Sequence, residues 1–245
     1  MGFGFMPVPQ WNLIHYGLFW QAVRDDYPTY EVLPPVPSML DDSSARQMPM
    51  ILTGPPPVRC WFIAPTPSRL LQIQNDRLML NWRRMEPSDE YPRYRNIRPQ
   101  FERDWTRFRE FLQSQEIPPP EVKAWEVTYV NHVEKGKGWE DFSQLSNVLR
   151  CWSPQACGDF LPQPDGVSVN MRFTFPEGPG RLTIEAQPAV RIDGVEIIQI
   201  SLTARGRPSS QDSLFACLDR GREWVVNGFD SVTTDAMHTL WGRIQ

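Results

Sequence analysis

The chain has 245 residues, of which 40% are apolar and 12% aromatic, and its formal net charge is −4. This composition suits a globular protein with a sizeable core, and it excludes a protein that binds polyanions through a general excess of lysine and arginine. The N-terminal sequence MGFGFMPVPQW has neither the features of a signal peptide nor a myristoylation motif, and no apolar run is long enough to span a membrane. We therefore expect a cytoplasmic protein without a membrane segment.

The N-terminal part of the chain predicts one helix and then a long irregular connection. A helix is expected within 13–27, and four apolar residues would share its buried face: Leu18, Phe19, Ala22 and Val23. Residues 30–57 are rich in proline, at Pro34, Pro35, Pro37, Pro49 and the run Pro55-Pro56-Pro57. Because proline fixes φ and removes a backbone donor, we expect 30–57 to be extended connection without regular secondary structure.

The next segment predicts a strand over 58–64 and then a β-hairpin whose register can be checked. If Asn75 and Asp76 form the turn, the apolar side chains of the hairpin share one face: Leu71, Ile73, Leu78, Leu80 and Trp82. The opposite face then carries Gln72, Gln74, Arg77, Met79, Asn81 and Arg83. A shift of one residue would mix the two sets, so the pattern fixes the register.

An amphipathic helix and four further strands follow. Five apolar residues recur at helical spacing, namely Ile97, Phe101, Trp105, Phe108 and Leu112. Alternating patterns predict strands over 122–133, 167–175, 182–189 and 195–205, the last two joined by a turn at Asp193-Gly194. A helix is expected over 214–229, and Thr234 or Asp235 can cap a last short helix that carries Met237, Leu240 and Trp241.

These elements predict an α+β fold, in which antiparallel strands carry helices on one face and polar side chains on the other. The order βββα occurs twice, so we suspect a pseudo-duplication of 58–133 and 167–230. No flexible Gly/Ser linker separates the two parts. We therefore expect a single domain over 1–245, with one sheet or two.

Motifs for common enzyme chemistries are missing from the sequence, including the nucleotide-binding glycine loops, HExxH and GxSxG. His15, His132 and His238 are far apart in sequence. The four cysteines, Cys60, Cys151, Cys157 and Cys217, have no CxxC spacing, and we expect them to be reduced thiols rather than disulfides or zinc ligands. The sequence thus favours a binding protein over an enzyme, with no metal and no cofactor.

The polar strand faces are the candidate binding surface, because they are rich in Gln, Asn, Thr and Arg and nearly free of Lys. The candidate residues are Gln72, Gln74, Arg77, Asn81 and Arg83 in the first hairpin, and Arg172, Glu185 and Arg205 in the later strands. One interpretation is a solvated sheet face with no further role. The other is a surface for a protein partner or for a second copy of the chain.

Two other functions stay open. A nucleic-acid-binding or processing factor would use arginines near aromatic residues, namely Arg77, Arg83, Arg84, Arg172, Arg205 and Arg207. A small-ligand sensor would enclose a cavity between a curved sheet and a helix, lined by Trp125, Tyr129 and their neighbours.

Several stretches of the chain resemble a family of sporadically distributed, uncharacterised prokaryotic proteins of about this length. They include LLQIQNDRLMLNWRR, EYPRYRNIRPQFERDWTRF, LTARGRP and MHTLWGR, and the resemblance extends from Trp61 to Arg243. Members usually begin with a longer strand, and the family has no established activity. Its patchy distribution resembles that of defence-associated and toxin–antitoxin genes, which implies action together with a partner.

Overall fold

A computed structural model of the chain describes residues 1–8, 10–40, 58–153, 155, 158, 160–208 and 214–242. Pro49, the Pro55-Pro56-Pro57 run and Cys157, which were considered above, lie outside these ranges. Within them the fold is α+β, as predicted, with helices and one nine-stranded antiparallel sheet. None of the helices in these ranges has the length and apolar character needed to cross a bilayer.

In these ranges the strands are β1 (Gly2–Phe5), β2 (Thr29–Leu33), β3 (Arg59–Ile63), β4 (Arg69–Gln74), β5 (Arg77–Trp82), β6 (Val122–Glu134), β7 (Val169–Thr174), β8 (Gly180–Val190) and β9 (Glu196–Gly206). The helices are α1 (Leu13–Val23), α2 (Tyr94–Ser114), α3 (Leu214–Val232) and α4 (Asp235–Leu240), with a 3₁₀ helix at Phe142–Asn147. The strand order across the sheet is β2-β3-β4-β5-β1-β6-β9-β8-β7.

The chain packs as two compact units. The first unit comprises Met1–Glu126 with Arg207–Phe215, and the second comprises Val127–Gly206 with Ala216–Gln245. The expectation of a single domain with a pseudo-duplication over 58–133 and 167–230 stays a prediction.

Strand β1 is central to the first unit and was not predicted from the sequence. Its sequence GFGF alternates, so that Phe3 and Phe5 point to one face of the sheet and Gly2 and Gly4 to the other. Both phenylalanine rings are fully buried. They contact the aromatic side chains of α2, with ring centroids 5.1 to 6.1 Å apart, at Phe101, Trp105 and Phe108. This aromatic layer is the core of the first unit.

Helix α2 confirms the predicted amphipathic helix. The five residues that recur at helical spacing, Ile97, Phe101, Trp105, Phe108 and Leu112, are all buried. Burial of each such side chain stabilises the folded state by about 1.5–3 kcal/mol. Helix α2 is therefore a principal packing element of the first unit.

The hairpin of β4 and β5 has the predicted register: Gln74 pairs with Arg77, Ile73 with Leu78 and Leu71 with Leu80. Asn75 and Asp76 are residue types that tolerate a positive φ, but neither has one in this turn. The register therefore follows from the apolar pattern of the strands and not from a left-handed turn.

Two predictions for the N-terminal part are wrong. Residues 29–33 form strand β2, which pairs with β3 from Thr29↔Ile63 to Leu33↔Arg59, where we expected irregular connection from residue 30. Helix α1 forms, but Leu18 is 38% exposed and Ala22 is also exposed, and the buried residues are Tyr16, Phe19 and Val23. Tyr16 and Trp11 supply aromatic contacts that the simple apolar pattern left out.

The second unit follows the prediction closely. Strands β7, β8 and β9 pair in order as an antiparallel meander, and Gly194 in the turn between β8 and β9 has a φ of 85°. Helix α3 packs on this meander through Gly228, where a Cβ would lie 2.5 Å from a methyl carbon of Leu182. Thr234 caps α4, as expected.

Two glycines in the first unit give a matched test of the packing at β1. An added Cβ at Gly2 would overlap the carbonyl oxygen of Leu78, whereas a Cβ at Gly17 in α1 would meet no atom within 4 Å. We expect Gly2→Ala to lower the free energy of unfolding by about 1–3 kcal/mol. Gly17→Ala should raise it by about 0.5–1 kcal/mol, because alanine is the better helix former. Urea denaturation of both variants measures the difference, and equal effects would contradict the close approach at β1.

Candidate functional site

The structure divides the eight predicted site residues between the two units. Gln72 and Gln74 lie on β4, Arg77 and Asn81 on β5, and Arg83 directly after β5, so these five share one sheet face of the first unit. The other three predicted residues lie on the strands of the second unit, namely Arg172, Glu185 and Arg205.

Part of the first unit's polar face is covered by the chain itself. Residues 34–40, which we call the strap, cross this face and hydrogen bond to Gln74 and Arg77. Met39 of the strap is 4% exposed and packs against Met79 and Ala124. Gln74 and Arg77 are buried beneath the strap and Gln72 is buried beside them, although the sequence pattern was compatible with a solvated face.

A buried ion pair lies under the strap. The Nε of Arg77 is 3.1 Å from Oδ1 of Asp76, and the two side chains are 6% and 7% exposed. Gln74 donates from Nε2 to the same carboxylate oxygen at 3.0 Å. Arg77 also donates from a terminal nitrogen to the carbonyl of Pro37. The pair thus has the additional hydrogen bonds that a buried salt bridge needs.

Next to the strap, the same face carries an aromatic and cationic group, which we call the Trp61 cluster: the half-buried residues Arg59, Trp61, Asn81 and Arg83, and the buried Gln72. The guanidinium carbons of Arg59 and Arg83 lie 5.2 and 5.1 Å from the centroid of the Trp61 ring, which is cation–π distance. Trp61 donates from its indole nitrogen to Oε1 of Gln72 at 3.0 Å, and Asn81 donates to the same oxygen at 3.4 Å. Neither Arg59 nor Trp61 is among the site residues predicted from the sequence.

In the second unit, the polar strand face carries exposed arginines close together. Arg181 on β8 pairs directly with Arg205 on β9, and Arg172 on β7 pairs with Thr183, two residues along β8 on the same face. All three arginines are exposed. Glu185 accepts a hydrogen bond from Asn170 at 2.9 Å across the β7–β8 pair. This surface is locally basic although the whole chain is acidic.

A second buried polar group lies on the helix-covered face of the first unit. The Tyr27 hydroxyl donates to Oδ2 of Asp104 at 2.6 Å, and Arg69 lies over the Tyr27 ring at 5.6 Å. Burial raises the pKa of Asp104 to about 6, although the Tyr27 hydrogen bond and Arg107 lower it. Tyr27 is fully buried and Asp104 is 2% exposed, so neither presents an atom to a dissolved substrate. We interpret the pair as a structural link between α2 and the chain after α1.

One arrangement in the second unit has the order of a hydrolase triad. Oγ1 of Thr233 lies 2.7 Å from Nε2 of His238, whose Nδ1 lies 3.5 Å from a carboxylate oxygen of Asp230. The Thr233 hydroxyl, however, is fully buried and donates its hydrogen to the carbonyl of Phe229 at 2.6 Å. His238 must therefore supply the hydrogen of its bond to Thr233 and cannot accept a proton from that hydroxyl. The arrangement joins the end of α3 to α4.

The cysteines in the described ranges form neither a disulfide nor part of a metal-ligand cluster. Cys60, Cys151 and Cys217 are free thiols, and burial raises the pKa of Cys60 to about 11. A thiol with a raised pKa is a poor nucleophile at neutral pH. Within those ranges no three His, Cys, Asp or Glu side chains converge as metal ligands would.

Two open grooves of similar size flank the helices. The first, of about 510 Å³, lies between α1 and strands β2 and β3 and includes Trp20, Val32 and Cys60 in its walls. The second, of about 500 Å³, lies between α3 and strands β7 and β8 and includes Trp224 and Leu182. Trp125 and Tyr129, which the small-ligand interpretation placed in a cavity wall, line neither groove.

Comparison with known proteins gives no match: no protein family, curated protein or solved structure is similar to this chain at a significant level. The inference of function therefore rests on the geometry of the chain itself.

The strap and the Trp61 cluster were missed for different reasons. Trp61 was assigned to a short apolar strand, and alternation along β3 was the signal that could have placed it with Gln72. To predict the position of the strap, one would need to predict contacts between residues 38 and 40 positions apart. Its proline-rich sequence has no periodicity that indicates such contacts.

The buried ion pair gives a prediction of stability. Arg77→Met leaves the Asp76 carboxylate buried without its cation, and we expect a loss of about 3 kcal/mol in the free energy of unfolding. The double variant Asp76→Asn with Arg77→Met should recover much of this loss, because no buried charge remains. Urea denaturation measures both.

The exposed pair of Lys123 and Glu121 provides the matched control for the ion pair. Lys123→Met should change the free energy of unfolding by less than about 1 kcal/mol. An equally small effect of Arg77→Met would show that the Asp76–Arg77 pair is solvated.

The raised pKa of Asp104 predicts a pH dependence of stability. Because its folded-state pKa of about 6 exceeds its ordinary value of 3.8, the folded protein binds this proton more tightly, and stability falls as pH rises from about 4 to about 6. Asp104→Asn should remove that loss, on the order of 2–3 kcal/mol. Unfolding by urea at pH values from 4 to 8 measures the slope. Glu110→Gln, an exposed position on the same helix, should keep the wild-type slope.

Proposed function

We propose that this chain is a non-enzymatic protein-binding protein, and that the polar sheet face of its first unit is the binding surface. The observation that carries the proposal is the Trp61 cluster. The Trp61 indole lies half-buried on a sheet face, with two guanidinium groups over its ring. Its nitrogen donates to the side-chain amide of Gln72, which also accepts from Asn81. Tryptophan and arginine are the residue types that contribute most to the free energy of binding in protein interfaces.

The position of the Trp61 cluster supports the proposal further. Trp61 is held in a fixed orientation, because its indole nitrogen donates to Gln72 and both guanidinium groups restrict the ring. A side chain that is ordered before binding loses little entropy on binding. Within the described ranges, moreover, the Thr233 hydroxyl and the Tyr27–Asp104 pair are buried, which favours binding over catalysis.

This proposal includes a role in a defence or toxin–antitoxin system, which the resemblance of 61–243 to a sporadic prokaryotic family suggests. That role depends on the identity of the partner. A partner encoded beside this gene would support it.

Capture of the partner tests the proposal. The tagged full chain is purified from its native host, and proteins retained with it are quantified by mass spectrometry, while light scattering gives its oligomeric state. We expect Trp61→Ala to lose the retained protein or the self-association, and Arg83→Ala to weaken it about tenfold. Thermal unfolding shows whether each variant is folded.

Trp241→Ala is the matched control, because Trp241 is a partly exposed tryptophan of the second unit that stacks on Phe229. This variant should retain the partner. A wild-type chain that is a clean monomer and retains no protein from its host would contradict the proposal, as would equal retention by all variants.

Nucleic-acid binding is a second candidate, favoured by the exposed group of Arg172, Arg181 and Arg205 on the second unit. Arg77, which was among the arginines predicted for this function, is buried in its ion pair. Gel shifts with short RNA and DNA at low and moderate salt test this candidate, because phosphate contacts weaken steeply with salt. The absence of a shift at low salt would exclude it.

A further inference from the structure

The strap is bound to the first unit through its main chain, as a peptide ligand would be. Val36 donates its N–H to Oε1 of Gln74 at 3.0 Å, and the carbonyl of Val36 accepts from Nε2 of Gln74 at 3.1 Å. One residue further along, the carbonyl of Pro37 accepts from Arg77. These bonds involve only backbone atoms of the strap, so an extended segment of another protein can supply the same atoms.

The orientation of the Gln74 amide is fixed by its neighbour. Nε2 of Gln74 also donates to Oδ1 of Asp76, which is the carboxylate that pairs with Arg77. An ionised carboxylate accepts hydrogen bonds and does not donate them, so Asp76 selects the orientation in which Nε2 of Gln74 points toward it. In this orientation Oε1 lies toward the N–H of Val36. Gln74 is thereby arranged to accept one N–H and to donate to one carbonyl.

The strap also inserts one side chain into a small apolar site. The Met39 side chain packs against Met79 and Ala124, and the Sδ and Cβ atoms of Met39 would lie 3.0 and 3.1 Å from a Cβ at Gly4. The absence of a side chain at Gly4 therefore makes room for Met39. A flexible, unbranched apolar side chain fits this space best.

Prolines in the strap select a single anchoring residue. Of residues 34–37, only Val36 has a backbone N–H, because the other three are prolines. Proline also restricts the chain to extended conformations, which lowers the entropy lost on binding. The strap thus has the properties of a stiff, extended ligand with one anchored residue and one inserted side chain.

We propose that the strap is the internal occupant of a peptide-binding site, and that the protein partner displaces it. The displacing segment is extended and flanked by prolines. It offers a backbone N–H and carbonyl to Gln74, a second carbonyl to Arg77, and a long unbranched apolar side chain three positions after the anchored residue. This inference rests on the proposed protein-binding function and specifies the class of segment that the surface takes.

Because the strap is part of the same chain, it competes at a high effective concentration, in the millimolar range for a short connection. A free peptide should therefore bind the wild-type chain weakly and bind a variant with a weakened strap more tightly. Met39→Ser is such a variant, since it removes the apolar contacts with Met79 and Ala124 and leaves Gln74 and Arg77 unchanged.

The experiment uses a fluorescein-labelled peptide with the sequence of residues 34–40, PPVPSML, and fluorescence anisotropy on the full chain. We expect Met39→Ser to bind this peptide at least tenfold more tightly than wild type does. A control peptide, PPVPSSL, should bind Met39→Ser at least tenfold more weakly than PPVPSML. Adding Gln74→Leu to Met39→Ser should abolish binding, because the anchoring bonds are lost.

Equal affinity of wild type and Met39→Ser for the peptide would overturn the inference, as would the absence of binding to both or binding that Gln74→Leu leaves unchanged. A second measurement needs no variant. Hydrogen exchange at the Val36 amide of the wild-type chain should become faster when unlabelled PPVPSML is added at several millimolar, because the displaced amide is exposed to water. Unchanged exchange at that concentration would also overturn the inference.

The two proposals fail in distinguishable ways. If Trp61→Ala abolishes partner capture but the peptide displaces nothing, the strap is structural and the protein-binding function stands. If capture is independent of Trp61, the proposed surface is wrong whatever the peptide does.

Discussion

The alternation of glycine and phenylalanine in β1 is the constraint on which the first unit depends. Phe3 and Phe5 supply the aromatic layer under α2, while Gly2 and Gly4 leave the opposite face of the same strand without side chains. A strand with side chains on both faces would hold the core but would crowd Met39. One short strand therefore determines both the packing of the helix and the space in which the strap lies.

Much of the fold could be predicted from local sequence patterns. The register of the hairpin, the length and buried face of α2, and the meander of β7 to β9 all follow from periodicity and turn residues, which act over a few positions. Strands β1 and β2 could not be predicted in this way. β1 is four residues long and half glycine, and β2 precedes a run of prolines, so both depend on partners that are distant in sequence.

For the candidate site, the sequence predicted which residues share a sheet face. Alternation placed Gln72, Gln74, Arg77, Asn81 and Arg83 on one face, and the structure keeps them there. What could not be predicted is burial, because the same polar residues suit a solvated face and a face covered by another segment. The hydrogen-bonding capacity of Gln74 and Asp76 is satisfied within the chain, as is usual for buried polar groups. The binding roles of all eight predicted residues, including Arg172, Glu185 and Arg205, stay predictions.

The residues that bind the strap are close together in sequence, and this has a consequence for the order of folding. Gln72, Gln74, Asp76 and Arg77 all belong to one hairpin with a two-residue turn, and isolated hairpins of this kind form in about 1–10 μs. The bonds from the strap to Gln74 and Arg77 instead close loops of 38 and 40 residues, for which the entropy of closure is larger. We therefore expect the hairpin face to form before residues 34–40 cover it, so that the face is exposed for a time during folding.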